Sequence, residues 1–321
     1  MLPSLSTAPA PPPVTARPER FHTNHVTLTG VVQSVWQRYR SDTPHAAPPD
    51  IMARLAVYDR DAVRRTAAST RKRPAHYVTL CFPQGGTAAG VPISLTANLA
   101  IGVSGYLRDD PYEQTLSDVL NQLRLSERRL PGDDTQRIKR ISTHVVVQKL
   151  EYLDRALGPD DYDDNTVVLS GVIQRVWERP GRRPLNWQTG DPEPDPDVLA
   201  RLAFYDPQAE TLDPAEHADF RRDPRGQLPM HRAHYVTLRI PNGRTPDGLP
   251  IGLQPRSGVR LTGHLVDVAY PESLHQILTW LRLVERLRDD DRERKLQQVL
   301  TYVIPRSLVR FGSVPYSQVS A

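Results

Sequence analysis

Short segments in which apolar and polar residues alternate recur along the chain and predict β-strands. In one such segment, Leu55 and Val57 fall on one face, whereas Arg54, Ala56 and Tyr58 fall on the other. A strand with one apolar face is typical of a sheet that covers a core on one side only.

The same alternation continues in the next predicted strand, where Val78, Leu80 and Phe82 share a face and Tyr77 and Thr79 lie opposite. Further strands are predicted around Gly105 and Gly263 and in the segments 145–147 and 300–304.

The chain repeats itself. Four blocks return in the second half in the same order: 24–38 as 165–179, 53–59 as 200–206, 75–80 as 233–238 and 105–107 as 263–265. The offset grows from 141 to 158 only between the blocks, so the insertions fall in loops. The sequence therefore predicts two copies of one domain.

Each copy contains five predicted strands with long loops, which is the pattern of a small OB-fold barrel. The predicted fold class is mainly β, with two tandem five-stranded OB-fold barrels. The predicted divisions are a disordered Pro-rich arm at 1–21, the first repeat at 22–153, an acidic linker at 154–164, the second repeat at 165–306 and a tail at 307–321.

Apolar residues also recur at helical spacing between the fourth and fifth strands of each copy, which predicts a helical insertion there. They are Leu116, Val119, Leu120 and Leu123 in the first copy, and Leu274, Ile277, Leu278 and Leu281 in the second. We expect each stripe to pack on its parent barrel. A contact between subunits is the alternative.

A net charge of +4 and a pI near 9.2 permit a polyanionic partner. The single cysteine, Cys81, excludes an internal disulfide and a multi-cysteine metal site. No segment has the apolar length of a membrane helix, and the N-terminus lacks the features of a signal peptide. A cytoplasmic location is therefore expected.

The blocks in this order resemble the bacterial single-stranded-DNA-binding (SSB) family. Asn-x-Val-x-Leu-x-Gly occurs at 24–30 and again at 165–171, followed each time by Arg-Leu-Ala and His-x-Val-x-Leu. The Gly-x-Leu block completes the series, and the resemblance covers most of 22–150 and 163–304. It implies sequence-tolerant coating of single-stranded DNA in replication, repair or recombination. It also implies a homodimer with four barrels, associated with the nucleoid.

The sequence departs from the family pattern in three places. No aromatic residue stands where the family has a tryptophan after the Arg-Leu-Ala strand. Ala75 and Ala233 replace the tryptophan that precedes His-x-Val-x-Leu, and the segment 312–321 has no carboxylate side chain. Recruitment of partners through an acidic tip is therefore not expected. These departures favour an alternative function, an OB-fold interaction module of a replication or mobile-element complex.

Tyrosines next to arginines on the faces opposite the apolar stripes are the first candidates for stacking bases. They are Tyr58, Tyr77, Tyr205 and Tyr235, beside Arg54 and Arg201. The alternative is that these rings pack beneath loops or at a subunit interface. The resemblance adds Tyr112 and Tyr270, which follow the Gly-x-Leu strand, and Arg108 lies near enough to contact phosphate.

Trp36 and Trp177 recur at the end of the first strand of each copy, beside Arg38 and Arg179. They are candidates for stacking on bases, and they are equally suited to fill the barrel. No nucleophile–base arrangement, phosphate loop or complete metal-ligand set is found in the sequence. The protein is expected to be neither an enzyme nor a cofactor- or metal-binding protein.

Overall fold

The structure is a computed structural model that describes residues 23–39, 48–60, 75–154, 162–180, 195–205, 233–244, 252–291 and 293–313. The predicted N-terminal arm and most of the predicted acidic linker lie outside these residues, and so does the end of the predicted tail.

Within the part of the chain that the structure describes, five strands and one helix follow one another in the same order in each repeat. In the first repeat they are β1 (Asn24–Arg38), β2 (Asp50–Val57), β3 (His76–Phe82), β4 (Ala100–Thr115), α1 (Leu116–Gln122) and β5 (Arg137–Tyr152). In the second they are β6 (Asn165–Arg179), β7 (Asp197–Tyr205), β8 (Ala233–Ile240), β9 (Ser257–Ser273), α2 (Leu274–Trp280) and β10 (Lys295–Ser313). Short 3-10 turns occupy Pro83–Gly85, Ser126–Arg128, Pro241–Gly243, Val284–Arg286 and Asp289–Asp291.

The five strands of each repeat close into a barrel. β1 pairs with both β2 and β4, β2 pairs with β3, and β3 runs parallel to β5, which pairs with β4. The strands β6 to β10 repeat this connectivity. A closed five-stranded barrel with this connectivity is the OB fold, so the predicted fold class is confirmed.

The barrel interiors are filled by the apolar stripes that the alternation predicts. Leu55, Val78 and Leu80 are fully or almost fully buried, as are Leu202 and Leu238 in the second repeat. Burying such side chains contributes roughly 1.5–3 kcal/mol each relative to exposure.

The glycine that ends the Asn-x-Val-x-Leu-x-Gly block has a steric role. A Cβ atom at Gly30 would overlap the carbonyl oxygen of Ala56, and one at Gly171 would overlap that of Ala203. The first strand of each barrel can therefore approach the second closely only where it has no side chain.

The two barrels are joined through their first strands. β1 and β6 pair antiparallel, and Val26 lies opposite Val167, the residue at the same position of the other repeat. The pairing is symmetric about this point, since Asn24 faces Leu169 and Leu28 faces Asn165. The repeats are thus related by a pseudo-twofold axis, and all ten strands form one hydrogen-bonded sheet.

The helices do not pack as predicted. The stripes of α1 and α2 share one apolar cluster with Ile138 of β5 and Leu296 of β10, and this cluster is separate from the barrel cores. The long hairpins β4–β5 and β9–β10 carry the helices away from the barrels, so the stripes of the two repeats are buried together.

β10 continues to Ser313 and therefore runs into the segment predicted as a tail from 307. Among the described residues, no helix is both long and apolar enough to cross a membrane.

Candidate nucleic-acid interface

The outer face of each barrel carries a tyrosine beside an arginine. On β3, Tyr77 points away from the core residues Val78 and Leu80, and 40% of it is exposed. The guanidinium carbon of Arg54 on β2 lies 5.4 Å from the centre of the Tyr77 ring. A guanidinium at this distance is attracted by the ring face.

The second repeat has the same pair. The guanidinium carbon of Arg201 on β7 lies 5.3 Å from the centre of the Tyr235 ring on β8. Burial lowers the pKa of Arg201, an effect that the nearby carboxylate of Asp109 and the hydroxyl of Tyr235 oppose. Tyr235 is half-buried, so the two rings differ in how much surface they present.

Arg54 also belongs to the joint between the repeats. Its Nη1 lies 3.0 Å from a carboxylate oxygen of Asp267 on β9, a residue that also accepts hydrogen bonds from Thr79 and Thr301. Burial raises the pKa of Asp267, and the hydrogen bonds and Arg54 oppose this effect. Arg54 therefore shares its charge with a buried carboxylate of the other repeat.

Trp36 and Trp177 lie outside the barrel cores. Trp36 on β1 is 41% exposed, and Trp177 on β6 is half-buried, with the guanidinium carbon of Arg175 5.8 Å from its ring centre. Both rings present surface that a base could cover.

Arg38 is held in an ion-pair network at the end of β1. Its Nη2 lies 3.0 Å from Asp50 and 2.8 Å from Asp110, and Arg108 donates to Asp110 at 2.9 Å. Burial tends to raise the pKa of Asp110, but the positive charges of His144, Arg108 and Arg38 outweigh it and hold that pKa well below its usual value. The guanidiniums of Arg38 and Arg108 are thus turned towards carboxylates of their own repeat.

Arg179, the counterpart of Arg38, has a different environment. It is exposed and makes no ion pair within the described part of the chain. Asp197, the counterpart of Asp50, is paired instead with Arg239 on β8 at 2.7 Å.

The tyrosines that follow the Gly-x-Leu blocks both contribute to the surface. Tyr112 on β4 is exposed, and Tyr270 on β9 lines a small cavity beside Arg179. Partial burial raises the pKa of both hydroxyls, and the carboxylate of Glu272 acts in the same direction.

The last two predicted tyrosines follow β2 and end β7. Tyr58 is half-buried, and its backbone N–H donates to the carboxylate of Asp163 at 2.7 Å. The side chain of Tyr205 lies outside the described residues.

Sequence reasoning missed the role of the asparagine that opens the repeated block. The side-chain amide of Asn24 donates to the carbonyl of Leu107 and accepts from its N–H, both at 2.9 Å. Asn165 makes the same two bonds with Leu265. An asparagine that recurs at the start of an apolar strand could have indicated this role. A buried side-chain amide needs hydrogen-bond partners for both its NH₂ group and its oxygen.

It also missed a set of buried histidines at the joint between the repeats. The rings of His76 and His264 stack with their centres 5.4 Å apart. His76 lies 3.0 Å from Asp59, and His234 lies 2.6 Å from Asp109 of the other repeat. The identical Ala-His-Tyr blocks of the two copies contain His76 and His234.

The chain matches no protein-family profile and no curated protein sequence. Its structure is similar to that of the wild-type single-stranded DNA binding protein from Thermus aquaticus. The two are 15% identical, the TM-score is 0.42, and the similarity covers 92% of this chain and 96% of the other. A deletion mutant of the same Thermus aquaticus protein gives 15% identity and a TM-score of 0.41, with coverage of 91% and 97%. The assignment of the fold to this chain rests on its own strand connectivity.

Proposed function

We propose that the protein binds single-stranded DNA without strong sequence preference, by stacking bases on aromatic side chains of the outer barrel faces. The observation that carries this proposal is the recurrence of one arginine–tyrosine pair, Arg54 with Tyr77 and Arg201 with Tyr235, in both barrels. A ring held in place by a guanidinium offers a face to any base, and one stacked base contributes roughly 1–3 kcal/mol.

Other aromatic residues extend the proposed stacking surface on each repeat. They are Trp36, Tyr58 and Tyr112 in the first repeat and Trp177, Tyr205 and Tyr270 in the second. The exposure of Trp36 and Tyr112 supports their inclusion.

The arginines divide into two groups in this proposal. Arg38, Arg54 and Arg108 share their charges with carboxylates of the protein, so we assign them mainly to holding the outer faces in place. Arg179 and Arg201 are the arginines that we assign to phosphate contacts. A phosphate contact releases counterions from the strand, so affinity falls as salt rises.

The biological role that fits this binding is protection of single-stranded DNA in replication, repair or recombination in the cytoplasm. We further propose that two chains associate, so that four barrels act together. Sedimentation of the purified protein, with and without oligo(dT), tests the assembly.

Titration of a fluorescein-labelled oligo(dT) by anisotropy, at low and high salt, tests the binding itself. We expect saturable binding that is lost on replacing the strand by a duplex and that weakens as salt rises. The double variant Tyr77→Ala/Tyr235→Ala should bind at least roughly tenfold more weakly, since two stacking positions are removed.

Tyr152→Ala is the matched control, because Tyr152 is an exposed tyrosine at the end of β5, outside the proposed surface. It should bind oligo(dT) as the wild type does. An absence of binding by the wild-type protein would refute the proposal and leave the protein-interaction module as the surviving function.

A further inference from the structure

We propose that the second barrel carries a nucleotide subsite around Arg179 that the first barrel lacks. It takes one nucleotide of a single strand, with the base against Tyr270 and the phosphate against the Arg179 guanidinium. The inference rests on the proposed single-strand binding and makes the two repeats unequal in it.

The reason lies in a buried carboxylate that each barrel must neutralise. Asp50 accepts a hydrogen bond of 3.1 Å from the backbone N–H of Gln84, and Asp197 accepts one of 3.1 Å from that of Asn242. Both carboxylates are almost completely buried. A buried carboxylate without a positive partner is strongly destabilising, so each barrel supplies an arginine.

The two barrels supply this arginine from different strands. In the first, Arg38 at the end of β1 pairs with Asp50 at 3.0 Å. In the second, Arg239 on β8 holds Asp197 through two nitrogens, at 2.8 and 2.7 Å. Arg239 stands at the repeat position of Cys81, whose side chain cannot take this role. Arg179, the counterpart of Arg38, is therefore not needed as the partner of Asp197.

A second difference between the repeats removes the other carboxylate that could pair with Arg179. Asp110, which binds Arg38 at 2.8 Å, is replaced at the same repeat position by Val268. Around Arg38, two guanidiniums, those of Arg38 and Arg108, face two carboxylates. Near Arg179, Arg239 already pairs with the carboxylate of Asp197, and no described carboxylate pairs with Arg179, so the positive charge of Arg179 is left for an anion.

A cavity lies beside this charge. It has a volume of about 110 Å³, and its lining includes Arg179, Asp197 with its partner Arg239, Val268, Tyr270 and Pro271. Pockets for whole drug-sized ligands measure roughly 300–1,000 Å³, so this one suits a fragment such as a single base. The ring of Tyr270 supplies the stacking face, and Val268 and Pro271 supply apolar walls.

Arg179→Ala and Val268→Asp test the inference, with the labelled oligo(dT) titration as the readout. Arg179→Ala removes the phosphate contact and should reduce the slope of log affinity against log salt by about 0.7. Val268→Asp gives Arg179 the carboxylate that Arg38 has, and it should weaken binding to a similar extent.

The double variant Arg179→Ala/Val268→Asp shows whether Val268→Asp acts through Arg179. Mutations that act on one contact are not additive. The affinity of the double variant should therefore be no lower than that of whichever single variant has the lower affinity. Full additivity would overturn the inference. Circular dichroism of each variant confirms that it is folded.

Arg260→Ala provides the matched control. Arg260 is an exposed arginine of β9, eight residues before Val268 and outside the cavity lining. It should leave the salt slope unchanged.

The proposed function and the subsite fail in different ways. No oligo(dT) binding by the wild-type protein contradicts both. Two other outcomes contradict the subsite alone. In one, the wild type binds oligo(dT) and both Arg179→Ala and Val268→Asp bind it equally well. In the other, Arg260→Ala weakens binding as much as these two variants do.

Discussion

Arg140 of β5 donates two hydrogen bonds to Glu272 of β9, at 2.9 and 2.5 Å, and so links the two repeats at the base of the helix pair. Both side chains are buried, and Arg140 also donates to Gln114. Two parallel hydrogen bonds fix the geometry of the guanidinium against the carboxylate.

Removal of this arginine should strongly destabilise the protein. We expect Arg140→Ala to lower the free energy of unfolding by about 3–5 kcal/mol, because it leaves the Glu272 carboxylate buried without a partner. Chemical denaturation followed by circular dichroism measures the change. Arg137→Ala on the same strand breaks the exposed pair with Glu113 and should have an effect of less than about 1 kcal/mol. Equal effects of the two variants would contradict this prediction.

Asn24 should be required for stability and not for DNA contact. Asn24→Ala leaves the N–H and the carbonyl of Leu107 without their partners, so we expect a loss of about 2 kcal/mol or more in unfolding free energy. His25→Ala, at the neighbouring exposed position, should change it by no more than about 0.5 kcal/mol. Below the unfolding transition, the affinity of Asn24→Ala for oligo(dT) should equal that of the wild type.

The helix pair should lose stability in acid. Two hydrogen bonds from Arg286, at 2.6 and 3.0 Å, lower the pKa of Asp133, an effect that burial opposes. A carboxylate with a lowered pKa stabilises the fold fully above the unfolded-state value of about 3.9, and this contribution disappears as the pH falls through the lower folded-state value.

Asp133→Asn tests this assignment. Its unfolding free energy should be lower than that of the wild type near neutral pH, and the difference should shrink as the pH falls below about 4. The reciprocal pair of Arg128 with Asp291 stays intact in this variant. A difference that is the same at every pH would contradict the assignment.

Tryptophan fluorescence should report base stacking at specific positions. We expect oligo(dT) to quench the emission, and Trp36→Phe and Trp177→Phe should each reduce the maximal quenching. Trp280 is 59% exposed on α2, with the Arg140 guanidinium 5.7 Å from its ring centre, and lies outside the proposed surface. Trp280→Phe should therefore leave the quenching amplitude of the remaining tryptophans unchanged. A smaller quenching amplitude in this variant would indicate that the strand binds near the helices.

The strands of both barrels could be predicted because alternation is a local property. Val78 and Leu80 face inward and Tyr77 faces outward for the same reason that successive side chains of any strand point to opposite faces. The duplication was also readable, since a repeated block needs no knowledge of its surroundings. The helical spacing of Leu116, Val119 and Leu120 was equally local, and the segment is a helix.

Contacts between distant segments could not be predicted in this way. Helical spacing predicts that the stripes of α1 and α2 pack on their parent barrels, but the hairpins that carry the helices place both stripes in one shared cluster. Nothing in the helical spacing indicates how far a hairpin extends from its barrel.

The sequence by itself determined the duplicated β-barrel fold, because periodicity and repetition act over a few residues. Only the tertiary structure decided which arginine faces solvent. Arg38 and Arg179 stand at equivalent positions of a repeated block. Asp50 and Asp110 form ion pairs with Arg38, whereas Arg239 takes the place of Arg179 beside Asp197. The charge that a guanidinium presents depends on carboxylates brought near it by folding, since electrostatic attraction depends on distance in space.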